Sequence, residues 1–384
     1  MDNLEFIHTH QNKPIAEIAL LLSKHPELDK NYIINQINGL QKAKIKLPSF
    51  YKNESIIYPV GLSMEQCSSE QAAIYKSKLV TGESIVDLTG GFGVDTYFFS
   101  QQFDKTTYIE QNIELFEIVK QNFNNLNAHI NCINSSCEDF LNNNTEKFDL
   151  AYIDPSRRDE TKRVFKLDGC TPNVIELLPQ LLKTANQILI KTSPLLDIKQ
   201  TLGDLNSVSK VWVISVNNDC KEVLYLIENT VIHNPEIIAV NLTKTNTENF
   251  SFNFNDEVND VVDYSLPLEY LYEPNASVLK AGGFKSVAVR FGLKKLATNT
   301  HLYTSGLLIA NFPGRTFKID HLLDYNSKAT KQLGLTKANI TTRNFHDSVE
   351  QVKKKLKLTD GGNVYLFALR DLNNKPLLVV TQKV

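Results

Sequence analysis

The sequence predicts an α/β fold: a mostly parallel sheet with an antiparallel last strand, helices before the sheet, and a small α+β region after it. Between residues 84 and 228, short apolar runs of β-forming residues alternate with amphipathic segments. This pattern is typical of a parallel sheet covered by helices on both faces. Glycines follow the first apolar run, at the strand-to-helix turn where such sheets bind ligands.

The individual elements follow from the spacing of apolar residues. Isoleucine and leucine recur every three or four residues across 16–46, which predicts two amphipathic helices broken near His25 and Pro26. The predicted core strands are SIVDLTGG, TTYIEQN, INCINSSC, FDLAYIDP and QILIKTSP. The helices between them are TYFFSQQF, IELFEIVKQNFNNL, CEDFLNNN and TPNVIELLPQLLKTA. A final antiparallel pair is predicted at KVWVISV and EVLYLIE.

The C-terminal part of the chain is less regular. Residues 229–272 are rich in asparagine and predict a hairpin and a connection. Short strands are then predicted in SVAVRFGLKKLA, LYTSGLLIANFPG, GNVYLFALRD and PLLVVTQ.

Charge divides the chain unevenly, although its net charge is only −2. Residues 276–384 hold 18 lysines and arginines against six acidic residues, a net of +12, whereas the first 275 residues carry a net of −14. Such asymmetry favours a polyanionic partner such as a nucleic acid for the C-terminal part. The alternative is a solvated lysine-rich surface that balances an acidic domain.

The composition bounds the compartment and the chemistry. No apolar run is long enough for a transmembrane helix, and the N-terminus lacks the basic and apolar regions of a secretory signal, so a cytoplasmic protein is expected. The histidines show no ligand spacing, and the cysteines are odd in number and lack any CxxC spacing, so no metal is expected. The cysteines are Cys67, Cys132, Cys137, Cys170 and Cys220.

The glycine-rich turn carries the clearest ligand signal. It reads VDLTGGFG, with Asp87 just before the turn and Glu110 at the end of the next strand. An acid at the first position suits a cationic ligand group and repels a pyrophosphate, which argues against a nicotinamide cofactor. An acid at the second position can accept hydrogen bonds from two ribose hydroxyls.

This pair of features resembles the class I methyltransferases that use S-adenosyl-L-methionine. The resemblance implies that Asp87 and the glycine loop hold the amino-acid part of the cofactor and that Glu110 holds its ribose. At the place where the family often carries an aspartate for adenine, this chain has Ser136 and Cys137. The cofactor contacts implied in all are Asp87, Thr89, Gly90, Gly91, Gly93, Asp95, Glu110, Ser136, Cys137 and Asp154.

The fourth strand ends in IDPSRRD, where methyltransferases of exocyclic amines carry an acid or asparagine, two prolines and an aromatic residue. The resemblance makes Asp154 and the Pro155 carbonyl the acceptors for a target amine, whose growing positive charge they would stabilise. The alternative is that Asp154 only anchors the loop. The departures are a serine in place of the second proline and Arg157 in place of the aromatic.

The arginines behind Asp154 have two interpretations. Arg157 could stack on a base or bind phosphate, and Arg158 and Arg163 could bind backbone phosphates. All three could instead form local ion pairs with Asp159 and Glu160. Lys191, at the end of ILIK, could meet a phosphate or extend its ammonium to solvent.

A longer resemblance covers nearly the whole chain, through segments such as LSMEQCSSEQAAIYKSKL, LDGCTPNV, YEPNASVLKAGGF and HLYTSGLLIANFPGR. The chain resembles a bacterial family of RNA methyltransferases with ferredoxin-like and THUMP-like C-terminal domains, itself similar to the RNA-cap trimethylguanosine synthases. In those relatives the helix before the glycine loop contributes to the cofactor pocket, here at Ser68, Ser69 and Glu70, which could equally only cap the helix. Glu273, Asn275 and Lys280 could line a substrate cleft or form a turn between domains.

The resemblance implies five regions. They are an N-terminal helical region (1–60), a methyltransferase core (61–235), a connecting region (236–275), a ferredoxin-like domain (276–312) and a THUMP-like basic domain (313–384).

The function expected is methyl transfer to RNA, on an exocyclic nucleobase nitrogen such as guanine N2 or adenine N6. A protein that binds cofactor and RNA without catalysis, and a methyltransferase for a protein or small molecule, are the alternatives.

Overall fold

A computed structural model describes residues 2–157, 166–228 and 232–384, with only the backbone of Arg157. The chain divides into two compact units. The first comprises Met1–Ser209 and Val223–Ile232, and the second comprises Lys210–Glu222 and His233–Val384. No helix among the described residues is long and apolar enough to cross a membrane.

The first unit begins with a series of helices. They are α1 (Asn3–His10), α2 (Ile15–Leu22), α3 (Lys30–Lys46), α4 (Pro48–Tyr51), α5 (Gly61–Gln66) and α6 (Glu70–Lys76). The break predicted near His25 and Pro26 is confirmed, since it falls between α2 and α3. Asp29 caps α3 by accepting the backbone N–H of Tyr32 (3.0 Å).

The segment between α4 and α5 is held by two buried amide side chains. Gln36 of α3 donates to the Tyr58 carbonyl (3.0 Å) and accepts the Tyr58 N–H (3.2 Å). Asn122 makes the same pair of bonds with Ile57, both at 2.8 Å. Buried backbone groups need such partners where no neighbouring strand supplies them. This arrangement seats Tyr58 against Phe92 of the glycine turn, with ring centroids 6.2 Å apart.

The alternating elements form the predicted sheet. The strands are β1 (Ser84–Asp87), β2 (Lys105–Glu110), β3 (Asn131–Asn134), β4 (Phe148–Ile153), β5 (Ser156–Arg157), β6 (Cys170–Thr171), β7 (Ala185–Thr192), β8 (Val208–Val216) and β9 (Asp219–Glu228). The helices are α7 (Val94–Phe99), α8 (Ile113–Asn125), α9 (Cys137–Asn143), α10 (Val174–Thr184) and α11 (Ile198–Leu205). Strands β1, β2, β3, β4 and β7 are parallel, and β9 pairs antiparallel with β7, giving the order β9–β7–β4–β1–β2–β3.

Helix α11 and one short hairpin in the alternating region of this unit, and helices α1, α4 and α5 before it, are not predicted from the sequence. Helix α11 begins after Asp197, which accepts the Gln200 N–H (2.8 Å) as a cap. Strands β5 and β6 pair antiparallel directly after the end of β4, with Ser156 opposite Thr171. Each strand has only two residues, too few to show a period in the sequence.

The second unit contains a hairpin and a seven-stranded sheet. The hairpin predicted after residue 229 is formed by β10 (Glu236–Leu242) and β11 (Thr247–Phe252), and β10 also pairs parallel with β8. The strands of the larger sheet are β12 (Tyr270–Pro274), β13 (Lys294–Lys295), β14 (Tyr303–Ser305), β15 (Gly314–Asp324), β16 (Asn339–Arg343), β17 (Val364–Arg370) and β18 (Pro376–Lys383). Their order is β13–β14–β12–β15–β18–β17–β16. The helices of the unit are α12 (Phe254–Asn259), α13 (Ala276–Ala281), α14 (Ser286–Phe291), α15 (Ser327–Gln332) and α16 (Val349–Leu356).

One predicted strand of this unit is wrong. Residues 286–291 (SVAVRF) form helix α14, which ends at Gly292 in the left-handed conformation (φ 61°). Two valines and a phenylalanine favour a strand by propensity, but packing of Val287 and Ala288 into the core decides the outcome. The predicted strand LYTSGLLIANFPG is reduced to Tyr303–Ser305.

The hydrogen bonds of the Gln36 and Asn122 side chains to the backbone of Tyr58 and Ile57 give a stability prediction. Replacing Asn122 by alanine leaves the Ile57 N–H and C=O without their partners, at a cost of about 2 to 4 kcal/mol in the free energy of unfolding. Asn124→Ala, on the exposed side of the same helix, should change that free energy by no more than about 0.5 kcal/mol. Urea denaturation of both variants measures the difference. Equal midpoints would show that Asn122 does not hold the segment.

Candidate functional site

The glycine-rich turn joins β1 to α7 at the carboxyl edge of the parallel strands. Gly91 has a φ of 53°, and Gly93, the N-cap of α7, has a φ of 73°. Side-chain-bearing residues rarely adopt this left-handed region. A Cβ atom on Gly91 would meet none of the described side chains, since its nearest neighbour is the Thr89 carbonyl oxygen at 3.8 Å. The backbone at Gly91 is therefore open to close approach by a ligand.

The other two glycine positions are set by packing. A Cβ atom on Gly90 would lie 2.0 Å from the ring of Tyr108, and one on Gly93 would lie 2.6 Å from the ring of Phe123. Both aromatic rings are buried in the core under the turn. The hydroxyl of Tyr108 donates to the Gly91 carbonyl (2.7 Å), which fixes the turn from below.

Glu110 lies at the end of β2, directly beside the turn. Its Oε2 accepts the N–H of Gly91 (3.0 Å), and its Oε1 accepts the N–H of Asn112 (2.7 Å). The carboxylate is thus oriented by two backbone groups and partly exposed. Each oxygen retains a further lone pair for a hydroxyl donor.

Ser136 and Cys137 follow β3, one strand farther along the same edge. The Ser136 hydroxyl caps α9: it accepts the Asp139 N–H (3.0 Å) and donates to the Asp139 carboxylate (2.8 Å). The Cys137 thiol is buried, and burial, with the charges of Glu138 and Asp87, raises its pKa to about 12. Both residues follow the strand next to β2, and their side chains are engaged in the helix cap and the core.

Asp87 ends β1 and is only 1 % exposed. Its carboxylate accepts the Thr96 hydroxyl (2.6 Å) and the Thr89 N–H (3.1 Å). Burial, together with the charges of Asp95 and Asp154, raises the pKa of Asp87 to about 7, against the effect of those two hydrogen bonds. Within the described part of the chain, its hydrogen-bond partners are neutral.

Asp154 lies one residue beyond β4, next to the turn. Its backbone N–H donates to the Thr89 hydroxyl (2.7 Å), so Thr89 connects the ends of β1 and β4. Its carboxylate, about one-third exposed, forms an ion pair with Lys191. Pro155 behind it is buried. The sequence-predicted residues Asp87, Thr89 and Asp154 are therefore brought together.

Lys191 does not extend its ammonium to solvent, which is one of the two roles predicted for it. It lies within β7, is 8 % exposed and pairs with the partly exposed Asp154. Besides Asp154, it lies 3.9 Å from Oδ2 of Asp95. The lysine thus stands between two carboxylates, one buried and one partly exposed.

Asp95 is the centre of a buried polar network. Its Oδ2 accepts hydrogen bonds from the Ser68 hydroxyl (2.8 Å), the Tyr152 hydroxyl (2.8 Å) and the ammonium of Lys76 (3.0 Å). Lys76 is fully buried and also donates to Ser68 and Tyr152. The network joins α6, α7 and β4, and Lys191 extends it to β7.

The network keeps Asp95 ionised. Burial by itself would raise the pKa of Asp95, but the charges of Lys76 and Lys191 and the hydrogen bonds from Lys76 and Tyr152 outweigh burial and hold the pKa below its usual range. Its other oxygen, Oδ1, is buried and has no hydrogen-bond partner among the described residues. That oxygen is an available acceptor at the site.

The other predicted site residues are placed as follows. Ser69 is the cap of α6 and accepts the Ala72 N–H (3.3 Å), whereas Ser68 belongs to the Asp95 network. Glu70 holds the backbone and hydroxyl of Ser49 (2.8 and 2.9 Å). Ser156 begins the short strand β5 and is exposed.

The structure leaves the arginine predictions open. Only the backbone of Arg157 is described, in β5, and Arg158 and Arg163 lie outside the described residues.

Three features of the site are missed by reasoning from the sequence: Lys76, Tyr152 and the true environment of Lys191. Each sits in a run that reads as ordinary core or helix surface. A lysine inside the apolar strand ILIK is the one available signal, because a charge there must find a buried partner.

The arrangement can bind a cation and accept hydrogen bonds. Three carboxylates, Asp87, Asp95 and Asp154, face two lysines, so the site carries a net negative charge whenever Asp87 is ionised. Among the described residues there is no cluster of histidine, cysteine and acidic side chains that could hold a metal ion.

Comparison with known proteins agrees with this geometry. Residues 270–313 match a ferredoxin-like domain family, and residues 314–383 match a family described as THUMP domain-like. Strands from both segments share one sheet, because β12 pairs with β15. A curated protein of Methanobrevibacter smithii (strain ATCC 35061 / DSM 861 / OCM 144 / PS), named as a probable cobalt-precorrin-6B C(15)-methyltransferase (decarboxylating), is 26% identical over 151 residues. That match covers 38% of this chain and 74% of the relative.

A crystal structure extends the likeness over the full chain. It is that of a candidate methyltransferase from Porphyromonas gingivalis W83, with 30% sequence identity and a TM-score of 0.88, covering 100% of this chain and 97% of the other. Fold, domain matches and full-length identity coincide. The chain therefore belongs to the bacterial methyltransferase family whose members carry ferredoxin-like and THUMP-like domains after an α/β methyltransferase core.

Proposed function

We propose that this methyltransferase uses S-adenosylmethionine to methylate an exocyclic nucleobase nitrogen in RNA, guanine N2 or adenine N6. The observation that carries the proposal is the position of Asp154. Its carboxylate stands at the carboxyl edge of the sheet, bonded through its backbone to the glycine turn and through its side chain to Lys191. An exocyclic aromatic amine needs such a hydrogen-bond acceptor, held beside the glycine-rich turn, to become nucleophilic.

The residues of the turn fit the cofactor. The bare backbone at Gly91 allows close approach, and Asp87 and Oδ1 of Asp95 offer buried acceptors for a cationic amino group. Glu110 would hold the ribose hydroxyls, with Ser136 and Cys137 near the adenine. The cofactor supplies an electrophilic methyl group. Thr89, Gly90 and Gly93 shape the turn that positions it.

Asp154 and the Pro155 carbonyl would accept the two N–H bonds of the target amine. Hydrogen bonds to these oxygens favour the pyramidal amine, whose lone pair is free to attack. The same oxygens stabilise the positive charge that develops on nitrogen during transfer. Holding the nitrogen in line with the methyl group supplies the remaining acceleration by orientation.

Lys191 would act as a positioning residue for Asp154. The ion pair restrains the carboxylate to one orientation, and Asp95 and the rest of the network restrain the lysine. Asp154 thus points one oxygen at Lys191 and keeps the other for the substrate.

The RNA assignment rests on the second unit. Its THUMP-like match and the net +12 of residues 276–384 both favour a polyanion. Arg157, Arg158 and Arg163, which follow Asp154 in the chain, would contact the target nucleotide or its phosphates.

Cofactor binding should depend on pH through Asp87. Its pKa is raised to about 7, so folding is favoured while it is protonated, and this contribution is lost as pH rises through 7. A cationic group paired with the carboxylate favours the ionised form. S-adenosylmethionine should therefore bind more tightly at about pH 8 than at about pH 6, by up to roughly tenfold per pH unit below the pKa.

Titration calorimetry at both pH values measures this difference. Asp87→Asn should bind more weakly and lose most of the pH dependence, and the variant corrects for titration of the ligand itself. The same pH dependence in wild type and Asp87→Asn would place the titrating group elsewhere.

Asp154→Ala should lower kcat for methyl transfer by about a hundred- to thousandfold and leave cofactor affinity within a few-fold.

Lys191→Met should lower kcat by up to about a hundredfold, because Asp154 loses its fixed orientation. The assay is methyl transfer to RNA from cells that lack the gene, with thermal melting in parallel.

Asp149→Ala is the matched control for these variants. Asp149 lies near the start of β4, whereas Asp154 follows the end of the same strand. At that opposite edge of the sheet, Asp149 accepts the N–H groups of Glu83 and Ser84 (2.8 and 2.9 Å). It should lose stability and keep its activity. An active Asp154→Ala enzyme with a lowered melting temperature would reduce Asp154 to a loop anchor. A wild-type protein that binds cofactor and RNA but transfers no methyl group would support the non-catalytic alternative.

A further inference from the structure

Glu273 is a buried carboxylate in the second unit that holds two arginines. It lies in β12, not in a turn between domains, and is 3 % exposed. The Nε of Arg315 donates to its Oε2 (2.8 Å), and the Nη2 of Arg343 donates to its Oε1 (2.7 Å). Arg315 stands opposite Glu273 in the β12–β15 register, whereas Arg343 is the last residue of β16.

The two guanidinium groups are held by Glu273 but remain accessible to solvent. Their side chains are 35% and 34% exposed, in contrast to the buried carboxylate beneath them. The guanidinium of Arg315 lies over the rings of Phe317 and Tyr365, at 5.5 and 6.0 Å from the ring centroids. A cation that is restrained by a carboxylate on one side and by aromatic faces on another loses little entropy when it binds a ligand.

The charges of the cluster do not balance. Glu273 neutralises one arginine, and in the described part of the chain neither arginine has an ion pair with another carboxylate. The Nε of Arg343 is buried without a hydrogen-bond partner among the described residues. The surplus charge also affects His301: burial, together with the charges of Lys295 and Arg343, lowers the pKa of His301 to about 4. The three side chains Glu273, Arg315 and Arg343 together carry a formal charge of +1.

We propose that Arg315 and Arg343, held by Glu273, form a binding site for a backbone phosphate of the RNA substrate. Glu273 accepts from Nε and Nη2 of Arg315 and from Nη2 of Arg343, and the Thr342 carbonyl accepts from Nη1 of Arg343. A phosphodiester offers two anionic oxygens, which can accept the remaining N–H groups of the two guanidiniums. It would also supply the negative charge that the cluster lacks. This inference rests on the proposed function, and it assigns part of the RNA affinity to one defined site.

A purely structural role is the competing explanation, in which the cluster only ties β12, β15 and β16 together. It predicts loss of stability without a specific loss of RNA binding. The salt dependence separates the two roles, because binding of a phosphate releases a counterion and a structural ion pair does not.

The experiment measures binding of a fluorescein-labelled single-stranded RNA of mixed sequence to the full-length protein over a range of salt concentrations. Arg315→Gln and Arg343→Gln should each bind roughly tenfold more weakly at low salt, since each removes a charge-assisted hydrogen bond to the phosphate. The slope of log K against log salt should fall by about 0.7 for each phosphate charge that the variant no longer neutralises. Arg315→Lys should retain the slope and lose part of the affinity, because the point charge remains and the planar fork does not.

Arg290→Gln is the matched control. Arg290 is exposed on α14 in the same unit, with its guanidinium 5.0 Å from the ring centroid of Phe250, and its replacement removes the same unit of charge. Equal losses of RNA affinity in all three glutamine variants would show an effect of net charge alone and overturn the site. Lower melting temperatures with unchanged RNA affinity would also overturn it. If the wild-type protein binds no RNA, the proposed function itself fails.

Discussion

Two lysine ammonium groups buried at the edge of the parallel sheet constrain the rest of the candidate site. A charge taken out of water is tolerated only with a close counter-charge and hydrogen bonds. Lys76 and Lys191 therefore require Asp95 between them, and Asp95 requires the hydroxyls of Ser68 and Tyr152. Removing one partner would leave a buried charge uncompensated, which typically costs about 3 to 5 kcal/mol.

The network also explains why three acids can stand close together. Asp95 stays ionised because two lysines flank it, and Asp154 is paired with one of them. Asp87 has only neutral hydrogen-bond partners among the described residues, and its pKa is raised to about 7. It is therefore the acid for which a cationic ligand group can supply the counter-charge. A site with one carboxylate that lacks a counter-charge suits a cofactor that carries a cationic amino group. The same residues are arranged around the glycine turn, where packing against Tyr108 and Phe123 leaves only Gly91 open.

The order of strands and helices in the core could be predicted because each element shows its own local period. Asp87, Glu110 and Asp154 could be placed at one edge for the same reason, since each directly follows a predicted parallel strand. The contacts between side chains could not. Lys76 lies 76 residues from Tyr152 in the chain, and Arg343 lies 70 residues from Glu273. No local pattern indicates such pairs.

Propensity failed where packing decided the outcome. The segment SVAVRF is short and rich in β-forming residues, both of which favour a strand, yet it forms a helix whose Val287 and Ala288 pack into the core of the second unit. The two-residue strands β5 and β6, next to Asp154, have no period at all, although they define the chain path out of the site.

Mass spectrometry of nucleosides can determine whether the site at Asp154 methylates a base in RNA. Total RNA is compared from cells with the gene, without it, and without it but carrying the Asp154→Ala form. We expect one N-methylated nucleoside to be present in cells with the wild-type gene and absent both from cells without it and from cells that carry only the Asp154→Ala form. Identical nucleoside profiles in all strains, or full restoration by Asp154→Ala, would contradict it.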